Sequence, residues 1–274
     1  IAFFILLGLM LVADYVGYSE LFSDDIHPIH PLSSFTPLQW MGNISLTEIW
    51  RANLLGEKRW FFLGPAWSLC YEEQFYAICG ILLLLSRRWF FLCAGCVTAS
   101  VAIVATIHLS GKALPIDGFF FDGRWLLFAA GMLVYFRLHH ATSRGARWAD
   151  AGLLAACGLA LFWKLAGKAS LAEEYYVGFF FAFLLSVLFR WDIPVAKSRL
   201  LRPITWCGMM CYSLYLVHWP VVKITSHLLY DAGVKGAWPT LFVSIPLSIL
   251  SAVAAGWAFH LLVERRFLNT QPVF

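Results

Sequence analysis

Residues 66–86 decide the fold: they read AWSLCYEEQFYAICGILLLLS, and the second half of this segment is almost entirely apolar. A bilayer hydrocarbon core about 30 Å thick is crossed by roughly 20 residues of α-helix. The segment has that length and lies between Pro65 and the pair Arg87 and Arg88. It therefore predicts a membrane-spanning helix that begins just after the proline.

The same pattern recurs along the chain and predicts an all-α, polytopic transmembrane bundle of about eight helices. The candidate spans are residues 1–20, 66–86, 89–110, 119–137, 150–167, 174–190, 203–230 and 238–262. The 274 residues are 61% apolar and 13% charged, whereas soluble domains contain about 25% charged residues. This composition excludes a disordered chain, a nucleic-acid binder with a basic face and an ordinary cytosolic enzyme.

The charges of the connecting segments predict the orientation of the bundle. Of the 20 Lys and Arg, eleven lie on alternate connections close to helix ends. Because cytoplasmic loops carry an excess of Lys and Arg, these connections are expected to be cytoplasmic. We expect a multi-pass protein of the inner (plasma) membrane, with both ends of this chain in the cytoplasm. Lys164, near one end of its span, is expected to snorkel.

We expect one membrane domain over residues 1–274, with an extracytoplasmic loop over residues 21–65. A loop of this length is either a functional lid or a passive cover. His27 and His30 are interpreted as turn residues beside prolines, because no third metal ligand is evident. Ser45-Leu-Thr-Glu48 is typical of a capping box and predicts a short helix over residues 49–55.

An acidic pair enters the first turns of the segment 66–86. Each acid at mid-helix costs about 2.5–3.5 kcal/mol on insertion scales, so such residues are candidate functional groups. Ser68, Glu72 and Tyr76 share one helix face by their i, i+4 spacing, and Glu73 points about 100° away. The alternative is that one acid pairs with a neighbouring cation, and we expect a structural pair between Glu73 and Arg124.

A second polar cluster lies in residues 211–220, which read CYSLYLVHWP. Tyr215, His218 and Trp219 share a face of the predicted helix. Pro220 cannot donate a backbone hydrogen bond, so it predicts a kink that frees a carbonyl next to His218. Kinked polar segments in membranes usually line a cavity. The alternative is a packing histidine that is satisfied by a bond between helices.

At these segments the sequence resembles the acyltransferase-3 family of integral-membrane O-acyltransferases. A W-S-L-x-x-E-x-x-F-Y signature of the family is matched by Trp67, Ser68, Leu69, Glu72, Phe75 and Tyr76. A Y-S-x-Y-L-x-H-x-P signature is matched by residues 212–220, and Arg124 with Gly131 resembles its R-x₆-G helix. The family's F-H-x-x-V-E-R-P-F ending is matched by Phe259, His260, Val263, Glu264, Arg265 and Phe267, with Arg266 in place of the proline.

The resemblance covers residues 60–267 and implies further helices before Ile1. The family begins with two more helices, the first of which carries an Arg and the expected catalytic His. An Arg-x-x-Arg-x-x-Pro stretch follows them. We therefore expect this chain to be a family member that lacks its N-terminal part, and to be inactive on its own.

The resemblance also implies a reaction: transfer of an acyl group, most often acetyl from acetyl-CoA, to a hydroxyl of a cell-envelope glycan or glycolipid. The donor acyl-CoA is a substrate, no cofactor or metal is expected to be held tightly, and the other partner is membrane lipid rather than nucleic acid. Acyl transfer requires a base, an oxyanion stabiliser and bound geometry. The expected catalytic residues are Glu72, Ser68 and His218. The expected substrate-binding residues are Trp67, Tyr76, Arg124, Tyr215 and Trp219.

Two other functions compete with this hypothesis. A transporter or flippase for lipid-linked sugars would also have many helices and buried charge, but it is expected to show inverted repeats or paired broken helices, which we do not find in the sequence. A non-catalytic membrane scaffold or sensor would not need Glu72, Ser68 and His218 together.

Overall fold

The computed structural model describes residues 1–22, 30–109, 123–167 and 172–267. This part of the chain is helical and contains no β-strand, which confirms the predicted all-α class. The helices are α1 Ala2–Tyr15, α2 Tyr18–Phe22, α3 Pro37–Ile44, α4 Glu48–Leu55, α5 Ala66–Leu85, α6 Phe90–Leu109, α7 Trp125–His139, α8 Ser143–Leu165, α9 Ala172–Leu188, α10 Asp192–Lys197, α11 Arg202–Met209, α12 Cys211–Asp231, α13 Ala237–Pro239 and α14 Ile245–Leu262.

Five helical stretches of the described residues are long and apolar enough to cross a membrane. They are Ala66–Leu85, Phe90–Ile107, Ser143–Leu165, Glu173–Val195 and Ala237–Arg266. Two predicted spans form the shorter apolar helices α1 and α7. The predicted span 203–230 divides into α11 and α12, with Met210 between them. Together these helices make the chain a multi-pass membrane protein.

The chain forms two compact units. The first, called the terminal unit, comprises Ile1–Asn43, Trp60–Ala66 and Ala196–Phe274. Its main packing is α12 against α14. A Cβ added at Gly256 on α14 would lie 3.1 Å from the Cα of Leu214 on α12, so the absence of a side chain lets the two backbones approach.

The second, called the central unit, comprises Ile44–Arg59 and Trp67–Val195. An apolar cluster of Ala130, Val134, Leu153 and Ala182 joins α7, α8 and α9. Ion pairs lie towards the ends of these helices: Arg137 contacts Asp150 at 3.0 Å, and Lys164 contacts Glu173. Lys164, near the end of α8, therefore pairs with an acid at the beginning of α9. Its Nζ also lies 3.3 Å from the hydroxyl oxygen of Tyr176.

The segment 21–65, predicted to be a long loop, contains the short helices α3 and α4. Helix α4 begins one residue earlier than predicted, at Glu48, and its N-cap residue is Thr47, whose side chain makes no capping bond. The predicted capping box at Ser45 is therefore wrong. Glu48 is fully buried and receives two hydrogen bonds from Arg51, at 2.7 and 2.8 Å. Arg51 also contacts Glu57, and the bond to Glu48 is the largest cause of its raised pKa.

Candidate active site

The acidic motif of α5 places a carboxylate and a phenol in direct contact. The hydroxyl of Tyr76 donates a hydrogen bond of 2.6 Å to Oε1 of Glu72, one helical turn away. Both side chains lie on a helix long and apolar enough to span a membrane. Ser68 lies one turn before Glu72 and is partly buried, while Glu73 is exposed. The i, i+4 spacing therefore produces the shared face that the sequence predicts.

Arg124 contacts the beginning of α5 through aromatic rings. Its guanidinium carbon lies 4.7 Å from the ring centroid of Trp67 and 5.3 Å from that of Tyr71. It also pairs with Glu174 at 3.2 Å, so the ion pair is formed with α9 instead of the predicted Glu73. A guanidinium stacked on aromatic faces is held in position while part of it stays accessible, since its side chain is 21% exposed.

The second motif lies on α12 in the terminal unit. Nδ1 of His218 is 2.6 Å from the carbonyl oxygen of Tyr215. A carbonyl oxygen can only accept, so this nitrogen carries the proton, and in the neutral ring Nε2 carries the lone pair. Pro220 lies inside the helix two residues further on, and the kink expected there stays a prediction. The arrangement fixes the tautomer in which Nε2 can accept a proton.

Tyr215 and Trp219 contact the segment directly before α5. The hydroxyl of Tyr215 donates a hydrogen bond of 2.9 Å to the carbonyl oxygen of Pro65. The indole of Trp219 lies against Gly64, where an added Cβ would be 2.7 Å from Cε2 of the ring. Gly64 was not singled out by the sequence. Its position shows that a side chain there would collide with a predicted substrate-binding residue.

The expected site residues thus form two groups. Within the central unit the structure brings Glu72 to Tyr76, and Trp67 to Arg124. Within the terminal unit it brings Tyr215 to His218 and to Pro65.

A third polar cluster, for which the sequence indicates no role, joins α12 to the C-terminal segment. Oε2 of Glu264 accepts a hydrogen bond of 2.5 Å from the hydroxyl of Ser213 and lies 2.8 Å from Nδ1 of His260. Ser213 is fully buried. The i, i+4 spacing of His260 and Glu264 is a signal that could have predicted their contact, but the partnership with Ser213 has no local sequence signal.

The described residues contain no group of three His, Cys, Asp or Glu that could hold a metal ion. His30 stacks on Trp60 with ring centroids 4.0 Å apart. His27 lies outside the described residues. All seven cysteines are free thiols.

Comparison with known proteins gives the family. The acyltransferase domain that defines the acyltransferase-3 family matches residues 1–259 of the chain. The chain belongs to this family. It is also similar to a curated protein of Komagataeibacter xylinus named "Putative membrane-bound transacylase BcsY", with 29% identity over 250 residues that cover 84% of this chain and 59% of the relative. The chain therefore spans about three-fifths of that relative's length. No solved structure matches it.

Proposed function

We propose that the protein is an integral-membrane O-acyltransferase that moves an acyl group, most often acetyl, from acyl-CoA to a hydroxyl of a cell-envelope glycan or glycolipid. Membership of an acyltransferase family supports the class of reaction. The observation that carries the assignment of the site is the Glu72 carboxylate, held by Tyr76 on a helix that is long and apolar enough to cross a membrane. Such a costly group in a bilayer is retained for function more often than for stability.

In the proposed reaction the acceptor hydroxyl attacks the carbonyl carbon of the thioester. A C–O bond forms, the C–S bond breaks, the hydroxyl proton passes to a base, and CoA leaves as the thiol after taking up a proton. Glu72 accepts or directs the hydroxyl proton through Oε2, because Oε1 is engaged by Tyr76. A positioned carboxylate of this kind contributes about 10²–10⁴-fold to the rate.

His218 is the second proton acceptor of this proposal. Its Nδ1–H is directed to the carbonyl of Tyr215, which leaves Nε2 as the basic nitrogen. Ser68 and Tyr215 supply hydrogen bonds, and Trp67, Tyr76, Arg124 and Trp219 form the substrate-contacting surfaces. The same proposal includes three further points. The donor binds on the cytoplasmic side, the acceptor lies on the outer side, and the protein resides in the plasma membrane.

The test uses membranes from cells that express the full-length gene product, with radiolabelled acetyl-CoA and the intact envelope glycan. Replacement of Glu72 by Gln is expected to lower incorporation of label into the glycan by about 100-fold or more, with normal amounts of protein. Glu73→Gln is the matched control, since this neighbouring acid is exposed, and it is expected to leave the rate unchanged.

Two results would overturn the proposal. Equal rates for wild type and Glu72→Gln would remove this carboxylate from the mechanism. Movement of a lipid-linked sugar across the membrane without consumption of acetyl-CoA would instead favour a transporter or flippase.

A further inference from the structure

A cavity of about 780 Å³ lies within the central unit, between α6, α7, α8 and α9. This volume falls in the range of ligand pockets, about 300–1,000 Å³. Much of its wall is made of small residues, among them Ala94, Gly95, Ala99, Gly152 and Ala156. Small residues in membrane helices normally allow close packing, but here they surround open volume.

The wall offers a polar ligand little to bind. The hydroxyls of Thr98 and Thr106, which line the cavity, donate to the carbonyls of Ala94 and Ala102, each at 2.7 Å. Thr98 also accepts the indole N–H of Trp125 at 2.9 Å. A sugar or nucleotide that entered would lose its hydrogen bonds to water without replacement, so the chemistry of the wall selects an apolar occupant.

Of three other ways of filling the volume, two fit poorly and the third is separated by experiment. If it stayed empty, the side chains of its wall would have no atoms to contact on one side and would lose those packing contacts. Water avoids apolar cavities, which stay dry and bind hydrocarbons instead. A transmembrane helix about 10 Å wide would place only about two of its turns in 780 Å³, and labelling by lipid in the full-length protein distinguishes such a helix from an acyl chain.

We propose that this cavity binds one fatty acyl chain of a bilayer phospholipid. It has room for roughly two dozen groups the size of a water molecule or a methylene. Three of its four wall helices, α6, α8 and α9, belong to stretches able to span a membrane, so phospholipid chains surround the cavity. The inference goes beyond the proposed function and does not depend on it.

The ion pairs of the same helices fit this occupant. Helix α7 is 15 residues long, about 22 Å. Arg124 precedes its first residue and pairs with Glu174, whereas Arg137 in its last turn pairs with Asp150. The apolar wall therefore lies between the ion pairs at the two ends of α7. A lipid chain matches this arrangement because its apolar length lies between the ion pairs while its head group stays near the charged side chains.

The test uses photolabelling of the full-length protein in vesicles of phosphatidylethanolamine and phosphatidylglycerol. The probe is a phosphatidylglycerol with a diazirine at the end of a palmitoyl chain. We expect labelled residues of the cavity wall, such as Ala99, as well as residues of the outer lipid-facing surface, for which Leu84, 89% exposed, is the internal reference.

Two glycines of α8 give a matched pair of variants. A Cβ at either Gly152 or Gly158 meets nothing within 4 Å, but only Gly152 lines the cavity. Gly152→Phe is expected to lower labelling of the wall, relative to Leu84, by about tenfold, because the ring occupies the space of the chain. Gly158→Phe is expected to leave it unchanged. Gly95→Phe, on α6, is a second cavity-filling variant.

Wild-type protein that shows no more labelling of the wall than background, with Leu84 labelled, overturns the proposal. So does equal labelling in Gly152→Phe and Gly158→Phe when both elute as folded monodisperse protein. Native mass spectrometry of the wild type in detergent gives a readout that needs no variant: one retained phospholipid supports the proposal, and none contradicts it.

Discussion

The hydroxyl of Ser213 donates a hydrogen bond of 2.5 Å to Oε2 of Glu264, although the two residues are 51 positions apart. The same oxygen lies 2.8 Å from Nδ1 of His260. The Glu264 carboxylate therefore connects the first turn of α12 to the segment that follows α14. Tyr215 and His218 lie on the same helix, in its next turns. Hydrogen bonds to charged groups are stronger than those between neutral groups.

Ser213→Ala is expected to lower the free energy of unfolding by about 1.5–3 kcal/mol, because it removes a buried hydroxyl from a carboxylate. Thermal unfolding in detergent measures the change. Ser100→Ala is the control: this exposed hydroxyl bonds to the carbonyl of Cys96 within its own helix, so its removal is expected to change stability by no more than about 0.5 kcal/mol. Equal shifts for the two variants would show that the bond to Glu264 adds no stability.

Local spacing made part of this structure predictable. The apolar run after Pro65 gave the span 66–86, and the structure forms α5 over Ala66–Leu85. The contact between Glu72 and Tyr76 also follows from the period of a helix. These features were accessible because each depends on residues within a few turns of one another.

Contacts between distant segments were not predictable in the same way. The partner of Arg124 is Glu174 instead of Glu73, because that choice depends on how α7 packs against α9. From the sequence several acids could pair with Arg124, and the packing of the helices selects one. At Glu48 the error is local: the i, i+3 spacing to Arg51 also permits an ion pair within α4, and this pair competed with the capping pattern.

The triad of Glu48, Arg51 and Glu57 predicts that an arginine is required in α4. Arg51 uses separate nitrogens for Glu48 and Glu57, and it also donates to the carbonyl of Lys58. A lysine has one nitrogen and cannot reproduce this fork. Because Glu48 is fully buried, Arg51→Lys is expected to cost about 3 kcal/mol or more of unfolding free energy.

Thermal unfolding compares Arg51→Lys with Arg59→Lys, whose guanidinium makes an exposed bond of 3.2 Å to Asn53. The control is expected to change stability by about 0.5 kcal/mol at most. The hydrogen bond to Glu48 is the largest cause of the raised pKa of Arg51, which keeps the guanidinium charged at neutral pH, and the variants are compared at that pH. A Lys variant as stable as the wild type would contradict the role of the fork.

We expect the stability of the protein to depend on pH through His30, which lies in the segment 21–65. Burial lowers the pKa of this imidazole below its usual 6.5, and the ring stacks on Trp60 with planes 6° apart. Since the folded state favours the neutral ring, its contribution to stability is complete above pH 6.5 and is lost as the pH falls through the lowered pKa. His30→Phe keeps an aromatic ring but cannot take up a proton.

The melting temperatures of wild type and His30→Phe are compared across a pH series. Their difference is expected to be constant above the usual pKa of 6.5 and to shift in favour of the variant at lower pH. A difference that does not change with pH would show that protonation of His30 is not linked to folding.

We expect substitutions at Gly64 and Trp219, both in the terminal unit, to have coupled effects on stability. A Cβ at Gly64 would lie 2.7 Å from Cε2 and 3.0 Å from Cδ2 and Nε1 of Trp219. All three atoms belong to a rigid ring, so Gly64→Ala is expected to displace the indole and cost about 1–3 kcal/mol of stability. Gly8→Ala, where an added Cβ meets nothing within 4 Å, is expected to be neutral or slightly stabilising.

If the clash is the cause, Trp219→Leu should relieve it, and the cost of Gly64→Ala should be smaller in the Trp219→Leu background than in the wild type. A double-mutant cycle of unfolding free energies measures this, with an expected coupling of about 0.5–3 kcal/mol. The acylation assay adds a second readout: Gly64→Ala is expected to lower the rate more than Gly8→Ala, because it displaces a ring that we propose contacts substrate. Additive stabilities in the cycle would mean that the backbone at Gly64 yields and that the indole is not held against it.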